Sequence, residues 1–165
     1  MGVAALASCA PRAAPPPAEP EQPRPQAPRP EPVSAPPPAA ADWQDAPLAS
    51  GDWSYSGEGA SSSASYGETG RPLFVLRCEA GRQLSLARPG IAGATNIVIR
   101  TTSAARSLAA GPRQGGLTAL LPATDAFLDE IAFSRGRFTV EAAGAPMLVL
   151  PTWPEFARVV EDCRD

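Results

Sequence analysis

The sequence predicts a mainly β domain, an antiparallel sandwich or barrel-like sheet, with a short internal helix and a C-terminal helix, behind a disordered proline-rich N-terminus. Three observations predict it. Thirteen of the 21 prolines fall in the first 40 residues, where too few large apolar groups stand to offset the entropy of ordering the chain. From Trp43 onward aromatics enter and short apolar runs recur between Gly and Pro turn signals, the pattern of many short strands. The C-terminal segment then changes period, with apolar residues at i, i+3, i+4 and i+7. The folded part therefore runs over residues 41–165, enough for one small domain with one core.

Taken in order, strands are expected near Trp53–Ser56, Ala64–Tyr66, Leu73–Cys78, Gln83–Ala87, Asn96–Thr101, Leu117–Leu121, Arg137–Glu141 and Pro146–Leu150. Gly70, Gly81, Pro89-Gly90, Gly93, Gly111-Pro112, Gly115-Gly116 and Gly144 punctuate them. Alternation puts Phe74, Leu76 and Cys78 on one face of their strand and Leu73, Val75 and Arg77 on the other. Leu84 pairs in direction with Leu86, and Ile97 with Ile99. The run Met147-Leu148-Val149-Leu150 is apolar on both faces, so a central, covered strand is expected there.

Two helices follow from the remaining signals. Thr124 is placed to cap a short one carrying Phe127, Leu128 and Ile131. Thr152-Trp153-Pro154-Glu155 fits a capping box, with Thr152 as N-cap, Pro154 in the first turn and Glu155 three residues on. Phe156, Val159, Val160 and Cys163 then form one apolar stripe, so Cys163 faces the core. Cys78 faces it too. In an exported protein this even pair is expected to form a disulfide, worth roughly 4 kcal/mol by loop entropy; two unpaired buried thiols are the alternative.

Charge and composition remove several classes of function. The net charge is −3, and the first 40 residues hold three Arg and three Glu, so the imbalance lies in the domain. No basic excess points to nucleic acid. No 18-residue apolar run exists for a membrane-spanning helix. The chain has no His, which removes the most common general base and most zinc and non-haem iron sites. No catalytic residue, metal or cofactor is assigned.

The remaining motifs are weighed against bland readings. Gly57 to Gly67 is rich in Gly and Ser but lacks the Gly-Lys pair of a phosphate loop and the spacing of a nucleophile elbow, so it reads as a polar hairpin. Arg135 and Arg137 flank Gly136 and form the candidate recognition patch, able to clamp a carboxylate or phosphate; the alternative is that they pair with nearby acids such as Asp129 and Glu130, or are simply solvated. Asp125 and Asp129 share a helix spacing without the oxygen density of a calcium site. Asp162 reads as part of a solvated helix end. Trp43, Trp53 and Trp153 read as core or rim packing, with a sugar platform as the alternative.

At the N-terminus, Leu6-Ala7-Ser8-Cys9 resembles the lipobox of bacterial lipoproteins, and Pro11 begins a proline-rich run directly after it. In that family the Cys receives diacylglycerol, the preceding peptide is removed and the new amine is acylated. The resemblance implies lipidation at Cys9, with residues 1–8 a truncated signal-peptide remnant: eight residues precede Cys9, without a basic region. Residues 9–40 then comprise the lipidation site and tether. At about 3.1 Å per residue, Pro11 to Ala40 reaches on the order of 90 Å fully extended. A passive spacer is expected, with a ligand for a proline-recognising groove as the alternative.

A second resemblance spans Leu76-Arg77-Cys78, Ile99-Arg100-Thr101, Leu128 to Phe138, Leu150 to Glu155 and Arg158 to Arg164. This order is similar to uncharacterised lipoproteins of sphingomonad-type Alphaproteobacteria, and more distantly to type VI secretion accessory proteins and the invasion-associated locus B family. It implies an envelope protein and carries no catalytic residue. The combined expectation is a lipoprotein anchored to a membrane through Cys9 in the bacterial cell envelope, its domain in the periplasm or at the cell surface. Its role would be non-catalytic binding or scaffolding, with an envelope protein or glycan as partner. The alternatives are a carboxylate-dependent hydrolase using Asp129 or Glu130 opposite Asp125 or Glu141, and a soluble protein whose Cys9 is never modified.

Overall fold

The computed structural model describes residues 42–57 and 61–165. Residues 1–8, Cys9 and the proline-rich stretch to residue 40 lie outside the described residues. Nine strands and two helices follow in the order β1 (Asp52–Ser56), β2 (Ser63–Glu68), β3 (Arg71–Glu79), β4 (Gln83–Pro89), β5 (Asn96–Arg100), β6 (Ala105–Arg113), β7 (Gly116–Pro122), α1 (Phe127–Ala132), β8 (Arg137–Glu141), β9 (Leu148–Pro151) and α2 (Pro154–Arg164). The strands form one sheet ordered β1-β2-β3-β4-β7-β6-β5-β8-β9, and every neighbouring pair is antiparallel.

The sheet curls until its ends meet. Trp53 on β1 donates its indole N–H to the Pro151 carbonyl at the end of β9, 2.9 Å away. Just before β1, the Ala49 N–H reaches the Val149 carbonyl at 2.8 Å. Between these two contacts Gly51 lies against β2. Its φ is +123°, and a Cβ there would stand 2.5 Å from the Gly67 backbone on β2, so any side chain would collide.

Strand β6 turns the corner. Ala105 to Ala109 pair with β5, and Ala110 to Arg113 pair with β7. Sequence patterning misses this strand for a physical reason. Only Leu108 along it is buried, so no alternation marks it, and Gly111-Pro112 reads as a break when it lies inside the strand. The other predicted strands are present: β1, β2, β3, β4 and β7 run one to three residues longer than expected, β8 has the expected bounds, and β5 and β9 are each one residue shorter. Strands β1 and β2 pair as a hairpin across the Gly57–Gly67 segment, of which residues 58–60 lie outside the described residues.

Inward positions carry the core. Phe74, Leu76, Leu84, Leu86, Ile97, Ile99, Phe138 and Val140 are fully buried, on the faces that alternation assigns. Helix α2 lays Phe156, Val159, Val160 and Cys163 onto them. Trp53, Tyr66, Phe74, Phe138 and Phe156 meet edge to face, with centroids 5.4 to 6.3 Å apart, the arrangement ring quadrupoles favour. Cys78 on β3 and Cys163 on α2 form a disulfide that links residues 85 apart in sequence.

Three local expectations are corrected. Thr124 does not cap α1: Ala126 holds the N-cap position, and the Asp125 carboxylate accepts from the Phe127 N–H at 2.9 Å. Thr152 does not cap α2 either. Trp153 holds that position without a side-chain cap, and Pro154 begins the helix; the Thr152 hydroxyl instead donates to the Ser134 carbonyl at 2.9 Å. Strand β9 is buried along its length but ends the strand order, and Met147 before it is exposed. Its cover comes from the segment before β1.

One buried side chain breaks the inward apolar pattern. Arg88 on β4 is 4% exposed. It donates to the Val140 carbonyl at 2.9 Å and the Pro146 carbonyl at 3.3 Å. Burial pushes its pKa down, yet an arginine stays charged in a protein. Carbonyl dipoles, rather than a carboxylate, face that charge.

Reducing the Cys78–Cys163 bond frees α2 from β3. On the loop-entropy model for this separation, reduction is expected to lower the unfolding free energy by about 4 kcal/mol. Denaturant titration with and without reductant measures it, and an unchanged midpoint would refute it.

Candidate functional site

The sequence places Arg135 and Arg137 in the turn from α1 to β8, and the structure sets that turn against a second one. Thr101 to Ala104 joins β5 to β6, and the two turns are bonded together. Ser134, 4% exposed, accepts from the Thr102 N–H at 3.1 Å and donates to the Arg137 carbonyl at 2.5 Å. The Arg135 N–H reaches the Thr102 hydroxyl at 3.2 Å. Thr101 closes its own turn, accepting from the N–H groups of Ser103 and Ala104. From the other side, the Thr152 N–H meets the Gly136 carbonyl at 3.3 Å.

Between these turns lies a depression of about 440 Å³ lined by Gln44, Thr102, Ser103, Arg135 and Arg137. Arg135 is exposed and Arg137 half-buried. Arg137 donates one N–H to the Ala46 carbonyl at 2.8 Å, fixing the entering chain to the rim. Among the described residues, neither guanidinium pairs with a carboxylate. Of the alternatives, pairing with Asp129 and Glu130 is not found, since Asp129 binds Arg164 at 2.8 and 3.1 Å and Glu130 accepts from the Ser103 hydroxyl; Arg135 is solvated. The exposed side chains of Phe133 and Trp153 each adjoin the bonded pair Ser134–Thr152.

The other candidate acids are held one by one. Asp125 takes Arg106 on both oxygens, at 2.8 and 2.9 Å. Glu141 takes Arg100 at 2.7 Å. Asp162 is no freely solvated helix end, since it accepts from the Tyr55 hydroxyl at 2.7 Å, beneath Arg158 stacked 4.1 Å from the Tyr55 ring. Among the described residues, no three acids or cysteines converge as a metal set. Trp53 is core, and Trp43 is half-buried near the start of the described chain.

Sequence reasoning found the two arginines and missed Gln44, Thr102 and Ser103. Arg135 and Thr102 lie 33 residues apart, and the hydroxyl run Thr101-Thr102-Ser103 carries no local mark of what it will face. What the assembled site can do is direct. Two cationic forks and a hydroxyl, on walls already fixed by hydrogen bonds, suit an oxyanion.

Replacing Ser134 by Ala leaves the Thr102 N–H without its acceptor, a loss expected to cost about 1 to 3 kcal/mol. Denaturant midpoints and hydrogen exchange at Thr102 test it, and unchanged protection there would count against the role given to Ser134. Asp125 supplies a pH test. Burial raises its carboxyl pKa, but the Arg106 hydrogen bond, the Phe127 N–H and the Arg106 charge outweigh burial and hold it below its ordinary value of 3.8. The stability it gives is present above that value and is lost as pH falls through the depressed folded one. Asp125→Asn should therefore flatten the acid limb of a stability–pH curve below about pH 4; an identical limb would contradict it. Comparison of the chain with family models, with curated proteins and with solved structures finds no match in any of the three.

Proposed function

We propose that this chain is a lipoprotein of the bacterial cell envelope, lipidated at Cys9, whose proline-rich segment tethers a non-catalytic binding or scaffolding domain in the periplasm or at the cell surface. The observation that carries the binding role is the depression at Arg135 and Arg137: two cations without acid partners, on walls ordered by hydrogen bonds. The anchor rests on Leu6-Ala7-Ser8-Cys9 and on the proline-rich run after it. The Cys78–Cys163 bond supports an oxidising compartment, where such bonds persist. No helix among the described residues is long and apolar enough to cross a membrane; the attachment in this reading is the acyl group on Cys9. The envelope resemblance from Leu76 to Arg164 points the same way.

The hydrolase reading gains no support. The carboxylates it needs are each engaged by a different arginine or hydroxyl.

Mass spectrometry of the protein from its native membrane fraction, on the intact chain and its N-terminal peptide, tests the proposal. A diacylglyceryl or triacyl mass on Cys9 is expected, with a gain of two hydrogens on reduction. An unmodified Met1 with a free Cys9 thiol in the soluble fraction would overturn the anchor.

A further inference from the structure

We infer that the depression between the α1–β8 and β5–β6 turns is a binding site for a phosphate monoester, carried on a lipid headgroup or on a sugar. This rests on the binding role proposed for that site, and names the chemistry it recognises.

The charge pattern is the first argument. Four arginines of the described domain pair with acids, Arg71 with Glu68, Arg100 with Glu141, Arg106 with Asp125 and Arg164 with Asp129. Arg77, Arg82, Arg88, Arg113 and Arg158 join Arg135 and Arg137 outside such pairs. What sets Arg135 and Arg137 apart is the wall they share with two hydroxyl side chains, in one depression that no carboxylate lines. Glu130 accepts a hydrogen bond from the Ser103 hydroxyl and does not itself line the depression. Two guanidinium charges left together repel, and the pair is stabilised when an anion enters between them.

The donor set is the second argument. The Arg135 guanidinium makes no hydrogen bond within the described residues. Arg137 uses one terminal N–H on Ala46 and keeps its other donors. The Thr102 hydroxyl oxygen accepts from the Arg135 N–H, which leaves its proton to donate. Gln44 adds an amide at the rim. A carboxylate offers two oxygens and one charge, which a single fork satisfies. A phosphate monoester offers three oxygens and a charge between about −1.5 and −2 at neutral pH, which matches two forks and a hydroxyl.

Preorganisation is the third argument. Both turns are fixed by Ser134, Thr101 and Thr152, so binding orders only two side-chain ends, which lowers its entropic cost. The depression, at about 440 Å³, leaves room for the group that carries the phosphate.

The test uses the full chain with Cys9→Ser, so its outcome is independent of lipidation. Amide shifts are followed by NMR on addition of glucose 1-phosphate, and of a galacturonate oligomer as a carboxylate probe. Sedimentation is followed with phosphatidylcholine vesicles, with and without phosphatidate. Saturable shifts at Thr102, Ser103, Arg135 and Gly136 with glucose 1-phosphate, or sedimentation only with phosphatidate, support the site. The two arms separate a sugar source from a headgroup source. Each response should weaken about tenfold or more in Arg135→Gln, since a charge-assisted contact contributes at least that. Arg135 makes no side-chain bond within the described fold, so this variant keeps the structure; Arg137→Gln, checked by its melting temperature, is the second. Binding that persists undiminished in both variants overturns the inference, as does the absence of any saturable response to either phosphate probe. Response to galacturonate alone overturns the phosphate assignment and leaves the binding role standing.

Discussion

The structure depends on the closure of the sheet around Trp53. A nine-strand sheet with free ends presents two rows of unpaired backbone groups and cannot surround a core. Here the ends are brought together by one indole N–H on the Pro151 carbonyl and one backbone bond from Ala49 to Val149. The same indole packs against Tyr66, Phe74 and Phe156. One side chain thus closes the sheet and centres the core. Helix α2 then has an enclosed apolar floor to lie on, and the bond from Cys163 to Cys78 holds it there. Loss of the closure would expose the floor on which α2 lies.

The candidate site inherits its order from that closure at second hand. Thr152 follows directly on Pro151, the residue Trp53 holds. Its hydroxyl and N–H fix the Ser134–Gly136 turn, and Ser134 in turn fixes Thr102. The chain of bonds runs from core indole to strand end, then to turn, then to the facing turn. The recognition face is therefore built on rigid elements, with the Arg137 guanidinium tied to the Ala46 carbonyl and the exposed Arg135 end left adjustable. Loops positioned by a scaffold in this manner are where binding surfaces are commonly found.

Much of the fold was legible because strands β3, β4 and β5 obey the simple rule of apolar inside. Phe74, Leu76, Leu84, Leu86, Ile97 and Ile99 alternate cleanly, and each is buried. Strand β6 was illegible because it serves two partners and sends only Leu108 inward; patterning reads burial, and β6 has almost none. The helix starts misled for a different reason. Thr124 and Thr152 have the right chemistry for caps, but Asp125 is nearer the first free N–H of α1, and the Ser134 carbonyl competes for Thr152. At the site, Arg135 and Arg137 declare themselves by proximity in sequence. Thr102 and Gln44 reach them only through tertiary contact, which a single sequence does not encode in any local pattern.

Arg88 has a consequence for how the surface tolerates change. Its two carbonyl partners, on Val140 and Pro146, stand at the two feet of the β8–β9 connection, and Arg88 grips both from inside the barrel. The span between those feet is therefore set by the interior and not by the residues that bridge it. Ala143 and Gly144 at the tip are exposed, and lengthening an exposed loop of fixed span adds only a slowly growing closure entropy. The tip is thus a natural point of insertion, where a tag or a second domain can be grafted while the register of the two strands below it is kept.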